Sequence, residues 1–213
     1  MSHRTMIAFL ATSALSVVAP QTQAGVIVET PSELASHFVM TDFAADPRAD
    51  NAAVTTVASP LGGNIEFWTQ NQGAPLAMTL DKDSGWFPVN LGEVYKTTVS
   101  WVELILPSNT RAFSFNVGAS GSGNGWVQAF DNTGASAYRA FSLGANNAPG
   151  FGFEATGACG SISKVIIEPW EWGVGNFAIN QGSCVTQVPE PSTFALLATG
   201  FLGLVILRRR RVS

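Results

Sequence analysis

The amino-acid sequence predicts an all-β fold, a β-sandwich, for the central part of the chain, residues 25–187. Residues 64–69 and 112–117 direct alternate side chains to two faces and are rich in β-branched and aromatic types, which is typical of strands. Gly, Asn, Asp and Pro separate such runs at short spacing, as turns do. The hydrophobic fraction of 46% is enough for a packed core, and a charged fraction of 12% argues against a disordered chain.

One short helix is expected before these strands. Thr30-Pro31-Ser32-Glu33 places an N-cap residue, a proline at the first helical position and a glutamate at the third. This pattern is a capping box, in which the Thr and Glu side chains satisfy the free backbone N–H groups of the first turn. It predicts a helix of at most two turns that leads into Leu34 and Phe38.

The longest apolar run, Val94–Leu106, is predicted to contain a strand buried on both faces, with Trp101, Leu104 and Leu106 directed inward. Another strand is expected at 162–167, where isoleucine and valine occupy both faces.

A hairpin is predicted around Asp131-Asn132-Thr133-Gly134, which has the composition of a tight turn. The turn would join a strand that ends at Phe130 to one through 138–143. The Ser/Gly-rich residues 120–125 predict a flexible surface loop.

The first 24 residues have the layout of a secretory signal peptide. Arg4 precedes the mostly apolar stretch 6–19, and Thr22 and Ala24 place small side chains where signal peptidase requires them. We expect export through the Sec machinery and cleavage after Ala24. The alternative is an uncleaved anchor, although 14 apolar residues make a short span.

A three-part tail ends the chain. Pro189, Glu190 and Pro191 precede the uncharged, largely apolar run 192–207, a short but feasible transmembrane helix of about 24 Å. A cluster of arginines follows, which orients the helix by keeping its end in the cytoplasm: Arg208, Arg209, Arg210 and Arg211. A buried core helix is the alternative, but it would have to tolerate these adjacent charges.

This tail resembles the PEP-CTERM sorting signal of Gram-negative bacteria that make exopolysaccharide. The resemblance covers residues 188–213, and Pro189-Glu190-Pro191 is its signature. It implies recognition by an exosortase, a membrane-embedded cysteine protease or transpeptidase that removes the tail and releases or transfers the protein outward. The three signature residues are then substrate residues. Two prolines keep such a segment extended and accessible to a protease.

Residues 151–180 also resemble the closing strands of the jelly-roll ectodomains that often accompany these tails. Those domains commonly end with an isoleucine–aspartate pair, whereas Ile179 is followed here by Asn180. This departure argues against an acidic or metal-binding role at that position.

Cys159 and Cys184 are the only cysteines, and both lie in the part expected to be exported. In an oxidising compartment such a pair most often forms a disulfide, here closing a loop of 26 residues worth about 3.5 kcal/mol. A metal site or a catalytic thiol is the alternative. Each needs a histidine, and beyond residue 24 the chain has only His37.

Charge and residue counts exclude several classes of function. Residues 25–187 contain 14 acidic and 6 basic residues, a net charge of −8, so nucleic acid is not an expected partner. His37 alone makes a catalytic triad or a three-histidine zinc site untenable, and no phosphate-binding loop is present. The remaining enzymatic option is a pair of carboxylates for glycoside cleavage, drawn from Glu103, Glu168 and Glu171. We predict no enzyme.

A calcium site is the one cofactor that the sequence suggests. Asp81-Lys82-Asp83-Ser84-Gly85 combines alternating carboxylates with a turn glycine, and Asp81 and Asp83 are the candidate ligands. The alternative is an ordinary acidic β-turn. Asp42, Asp46 and Asp50 form another spaced acidic set.

The six tryptophans suggest carbohydrate binding, because flat apolar rings can stack on sugar faces. They lie at positions 68, 86, 101, 126, 170 and 172. Most are expected in the core. Trp86, Trp170 and Trp172 are the best candidates for solvent-facing ligand-binding rings, since acidic or turn residues flank them.

Taken together, the sequence predicts an exported cell-surface or extracellular-matrix protein, sorted and processed by an exosortase, with a structural or adhesive role in the exopolysaccharide or biofilm layer. The alternative is a carbohydrate-binding module, with or without calcium, and a glycan-cleaving enzyme is a more distant one. Expected partners are the exosortase, the Sec machinery with signal peptidase, the membrane through the tail helix, and extracellular polysaccharide.

Overall fold

The computed structural model describes residues 25–69, 73–82, 92–119, 121–144, 147–157, 159–168 and 171–182. These residues form two antiparallel sheets packed face to face and one helix, α1 (Pro31–His37). The predicted β-sandwich is confirmed, and the two-sheet arrangement fits a jelly-roll-like domain.

Sheet A has eight strands, seven of them in one ladder. In ladder order they are β1 (Val26–Glu29), β13 (Gly150–Ala155), β10 (Thr110–Ala119), β15 (Trp172–Gln181), β8 (Val94–Thr97), β7 (Met78–Asp81) and β3 (Ala53–Val54). The short strand β2 (Thr41–Asp42) pairs with β15.

Sheet B has seven strands. Its ladder runs β12 (Ser136–Leu143), β11 (Gly123–Asp131), β14 (Ile162–Glu168), β9 (Val102–Ile105), β5 (Asn64–Thr69) and β4 (Thr56–Ala58). The short strand β6 (Ala74–Pro75) pairs with β5.

Aromatic rings fill much of the space between the sheets. Phe113 stacks on Phe177 at 5.7 Å between ring centroids, and Phe115 stacks on Phe153 at 6.1 Å. Phe113, Phe115 and Phe153 are fully buried. Since each buried ring removes a large apolar area from water, this row dominates the hydrophobic stabilisation of the fold.

The helix α1 covers the outer face of sheet A. Its capping box forms as predicted: the Glu33 carboxylate accepts from the Thr30 N–H at 2.8 Å, and the Glu33 N–H donates to Thr30 Oγ1 at 3.3 Å. Leu34, fully buried, lies over Gly152, where a Cβ atom would come within 3.2 Å of the Leu34 Cβ. Over Gly150, a Cβ atom would come within 2.7 Å of Pro31 Cγ. The glycines of β13 therefore allow the helix to approach.

The predicted hairpin is confirmed. β11 and β12 pair across a turn in which Asp131 Oδ1 accepts from the backbone N–H groups of Thr133 and Ala135, and Gly134 has a φ of 89°. The predicted loop at 120–125 is wrong at its end, because β11 begins at Gly123.

The run 94–106 contains two strands, and neither is buried at every position as predicted. β8 belongs to sheet A and β9 to sheet B, so the chain crosses between the sheets at residues 98–101. Trp101 has a φ of 66° and is partly exposed rather than directed inward. The inward positions of Leu104 and Leu106 are confirmed.

The two ends of the sandwich differ in what they carry. One end, called the exit end, is defined by Gln181, where the last described strand β15 stops, and the β11–β12 turn and Gly25 lie at the same end. At the distal end, defined by Trp172 at the start of β15, residues 98–101 cross between the sheets. Nine residue steps of β15 separate the two ends, about 30 Å.

Several predictions concern residues outside the described ranges. They are the signal peptide 1–24, Asp83, Trp86, Trp170, Cys184, and the tail 188–213 with its transmembrane helix. Within the part of the chain that the structure describes, no helix is both long and apolar enough to span a membrane.

Candidate functional site

An open groove of about 720 Å³ lies on the outer face of sheet B at the distal end. The strands β11 and β12 and the last residue of β14 form its walls. Its lining includes the aromatic residues Trp126, Tyr138 and Phe141. Polar residues line it as well, among them Asn124, Ser142 and Glu168. We call this surface the aromatic groove.

The hairpin register places the rings of Trp126 and Tyr138 side by side. Trp126 pairs with Ala140 and Gln128 with Tyr138, so the outward side chains of the two strands are neighbours. The Trp126 and Tyr138 ring centroids are 5.7 Å apart, and Tyr138 is 58% exposed. Trp101 contacts the other side of this pair, edge-on to Trp126 at 6.0 Å. Three rings therefore pack in a row beside the groove.

The floor of the groove requires a glycine. A Cβ atom on Gly125 would lie 2.4 Å from the Glu168 carbonyl oxygen and 2.8 Å from Phe141 Cζ. Both distances are shorter than non-bonded atoms tolerate, so β11 can approach β14 here only without a side chain. Gly125 therefore cannot be replaced by a larger residue without a shift of its neighbours.

Polar atoms flank the rings. The Ser142 hydroxyl donates to Asn124 Oδ1 at 2.8 Å, and the Gln128 amide donates to the Ser136 hydroxyl at 3.0 Å on the same face. Glu168, opposite Trp126 in the pairing of β11 with β14, adds a carboxylate. The groove thus offers apolar ring faces and hydrogen-bonding groups to one ligand.

The three carboxylates considered for glycoside cleavage have different surroundings. Glu168 lines the aromatic groove. Glu103 Oε1 forms an ion pair with Lys164 Nζ at 3.2 Å on the outer face of sheet B. Glu171 immediately precedes β15 with a φ of 48°.

The prediction that Trp172 faces solvent is wrong. Trp172 is fully buried at the start of β15, and its indole N–H donates to the Val99 carbonyl at 3.1 Å. Trp172 packs in the hydrophobic core because it is the first residue of β15, whose first four residues are all buried. Trp86 and Trp170, the other two candidates, lie outside the described residues.

Asp81 is engaged in an ion pair. Its carboxylate accepts from Lys96 Nζ at 2.7 Å, and Asp81 is buried. The second candidate ligand, Asp83, lies outside the described residues, so the calcium site stays a prediction.

Asp46, from the other acidic set, is buried and forms hydrogen bonds with Arg48 and Tyr95. Arg48 donates to both oxygens of its carboxylate, at 2.8 and 2.7 Å, and the buried Tyr95 hydroxyl donates at 3.1 Å. The Arg48 hydrogen bonds hold the pKa of Asp46 below its usual range, although burial opposes them. Burial, reinforced by the Asp46 charge, raises the pKa of Tyr95. This geometry is that of a structural ion pair.

The comparisons with known proteins concern mainly the tail. A family model described as the PEP-CTERM protein-sorting motif matches residues 187–211. This chain carries a PEP-CTERM sorting motif. The match includes Pro189, Glu190 and Pro191 together with the arginine cluster, so the resemblance inferred from these residues is confirmed.

The PEP-CTERM motif implies an exosortase as the processing partner and marks the protein for export to the cell surface. No curated protein gives a significant match to the sequence. A solved structure described as that of an exo-beta-agarase is similar over 68% of this chain, with 13% identity and a TM-score of 0.32. The matched part spans only 25% of that chain.

The residues of the aromatic groove were not predicted from the sequence. Trp126 was counted among the tryptophans but not placed on a surface, and Tyr138 was assigned only to a strand. They could have been predicted from the 131–134 turn. Pairing residues outward from that turn places Trp126 and Tyr138 on the same face of the hairpin.

Proposed function

We propose that this protein is a non-enzymatic component of the extracellular matrix, delivered by the exosortase route, that holds extracellular polysaccharide in its aromatic groove. Its role is adhesive. The observation that carries the proposal is the adjacent pair Trp126 and Tyr138 on an open strand face, with Trp101 packed against it.

The chemistry of the groove suits a sugar chain. Each pyranose ring has apolar C–H faces and a polar rim of hydroxyl groups. Ring faces such as those of Trp126 and Tyr138 can pack on the apolar side, while Asn124, Ser142 and Glu168 can hydrogen-bond with the hydroxyl groups. An open groove also lets a polymer pass through without a chain end.

The position of the groove fits an adhesive role. The groove lies on the outer face of sheet B, and Trp126 is five residues from Asp131 at the β11–β12 turn, about 17 Å along the strand. A polymer can therefore lie across this open face without entering the sandwich.

Processing at both ends of the chain is part of this proposal. We infer Sec export, signal-peptide cleavage after Ala24, insertion of 192–207 as a membrane helix, and removal of the tail by an exosortase at or near Pro189-Glu190-Pro191. Mass spectrometry of the protein secreted by its native host tests this. We expect a form that begins near Gly25 and lacks the arginine cluster, and a form that still ends at Ser213 would contradict processing.

We also propose the Cys159–Cys184 disulfide. Cys159 and Gly182, two residues before Cys184, line the same small cleft at the exit end together with Arg111. The Gly182 N–H donates to the Asn109 carbonyl at 3.1 Å, which holds this segment against the sandwich. Non-reducing peptide mapping should recover the two cysteines as one cross-linked pair, and recovery of both as free thiols would refute the pairing.

Binding of the full-length protein to exopolysaccharide from its host tests the central claim. We expect the double variant W126A/Y138A to bind at least tenfold more weakly, a loss of about 1.4 kcal/mol or more. Phe38→Ala is the matched control, because it removes a partly exposed ring from the other side of the molecule. Repeating the binding measurement with a calcium chelator distinguishes calcium-dependent from calcium-independent binding.

Three outcomes would contradict the proposal. Wild-type protein that retains no polysaccharide above background would leave a purely structural role. Equal binding by wild-type and W126A/Y138A protein would place the ligand elsewhere. Release of reducing sugar ends by the wild-type protein would contradict the non-enzymatic assignment, and Glu168→Gln would then test the groove carboxylate.

A further inference from the structure

A second cluster of functional side chains lies on the outer face of sheet A, on the opposite sheet from the aromatic groove. Glu29 is the last residue of β1, and Glu154 lies on the neighbouring strand β13. Ile27 pairs with Glu154 and Glu29 with Gly152, so the two carboxylates are diagonal neighbours on one face. His37, the last residue of α1, lies above them.

The helix positions this histidine through its spacing. Leu34 contacts the sheet over Gly152, and His37 lies three residues further along, on the same side of the helix. The packing of Leu34 that fixes the helix therefore also fixes the imidazole over the two carboxylates.

The distances within the cluster suit a bound metal ion. His37 Nδ1 lies 3.3 Å from Glu154 Oε2 and 3.7 Å from Glu29 Oε2, and the three ligand atoms all lie within 4.8 Å of one another. Ligand atoms at about 2.0–2.1 Å from a tetrahedral zinc ion are separated by about 3.3–3.4 Å. A small contraction would bring all three into coordination.

One oxygen of the cluster has no hydrogen-bonding partner. Glu29 Oε2 is inaccessible to water and accepts no hydrogen bond from the described residues. A buried carboxylate oxygen is unfavourable without a partner, and a cation would supply one.

The adjacent glutamate is occupied elsewhere. Glu33 Oε2 accepts from the N–H and the hydroxyl of Thr30, both at 2.8 Å, in the helix cap. The His37 side chain is 48% exposed, so an ion can reach the cluster from solvent, and a further ligand can complete its coordination.

We propose that Glu29, His37 and Glu154 bind a divalent first-row transition metal ion, with zinc as the reference ion. An imidazole combined with carboxylates favours such ions over calcium, which prefers oxygen ligands alone. Three protein ligands with an open position leave room for water or a group from another molecule. The bound ion links β1 and α1 to β13 and so fastens the first part of the exported chain to sheet A.

Metal titration of the full-length, untagged, metal-free protein tests this site. We expect one zinc ion to bind per chain, and Co²⁺ to give the visible absorption bands of a tetrahedral site. His37→Gln and Glu154→Gln should each weaken zinc binding at least tenfold. Glu66→Gln is a matched control that removes a carboxylate elsewhere on the sandwich, and it should leave zinc binding unchanged.

Thermal unfolding gives a second readout. Zinc should raise the melting temperature of the wild-type protein but not that of Glu29→Gln, whose metal-free form should be at least as stable as the metal-free wild type because a buried charge is removed. The proposal is overturned if zinc binds His37→Gln as tightly as wild type. It is also overturned if no zinc binds, which would leave a plain Glu–His–Glu ion-pair cluster, or if calcium alone binds.

Discussion

The outer faces of the two sheets are built from the same strand geometry but carry opposite kinds of side chains. On sheet A, the helix α1 covers outward positions that are small, Gly150 and Gly152 on β13 and the buried Ser114 on β10. On the β11–β12 part of sheet B, the outward positions carry Trp126 and Tyr138 and remain open.

This difference separates packing from binding. Where α1 packs on sheet A, the strand β13 carries glycines in place of larger side chains, and this part of the outer face is buried. Where large rings remain partly exposed beside polar atoms, no packing requirement explains them, so the open face is the better candidate for function. The comparison can be tested by substitutions that act on one face only.

The largest effect is expected where the helix meets sheet A. Leu34→Ala removes a fully buried side chain and should lower the free energy of unfolding by about 3 kcal/mol, since the space left cannot close completely. Urea unfolding measures it. Val39→Ala, at a side chain 85% exposed, is the control and should change little. Equal effects of the two would show that α1 is not packed on the sheet.

A smaller loss is expected at the floor of the aromatic groove. Gly125→Ala should destabilise the protein by about 2 kcal/mol, because the new methyl group meets the Glu168 carbonyl. The control, Gly123→Ala, lies on the same strand with nothing within 4 Å of the added carbon. If both substitutions leave the melting temperature unchanged, Gly125 is not as close to the Glu168 carbonyl as the structure places it.

The Asp46 ion pair should make stability depend on pH. Its folded-state pKa is lowered, so its contribution is present above the unfolded pKa of about 3.9 and is lost as the pH falls through the folded value. Asp46→Asn should cost about 1.5 kcal/mol at neutral pH. The difference from wild type should shrink below about pH 4.

The control for this pH series is Asp42→Asn, which neutralises an exposed carboxylate on β2. A stability difference between Asp46→Asn and wild type that persists unchanged into acid would contradict the role of the Asp46 charge.

The smallest effect on stability is expected on the open face. Tyr138→Ala should change the free energy of unfolding by less than about 0.5 kcal/mol, because the ring is mostly exposed. Phe141, on the same strand, packs against Phe151 at 5.0 Å, so Phe141→Ala should cost clearly more. A large loss of stability in Tyr138→Ala would show that the rings of the groove serve packing.

Local patterns were predictable from the sequence. The capping box fixed the start of α1, and the 131–134 turn fixed the β11–β12 hairpin, since both depend on neighbouring residues. The run 94–106 was misjudged because apolar composition cannot show that a chain passes from one sheet to another at Trp101. Trp172 was misjudged because its polar neighbours concealed the start of a buried strand.

The candidate sites were only partly predictable. The aromatic groove could have been found by carrying the hairpin register outward to Trp126 and Tyr138. The cluster of Glu29, His37 and Glu154 could not, because 125 positions separate the two glutamates and only the pairing of β1 with β13 brings them together. Such long-range pairings leave no trace in the local sequence.

The place of β15 has a mechanical consequence. This strand has β10 on one side and β8 and β2 on the other, and it ends at Gln181. A force applied to Gln181 along the strand axis therefore loads the hydrogen bonds on both sides of β15 together instead of opening them one after another.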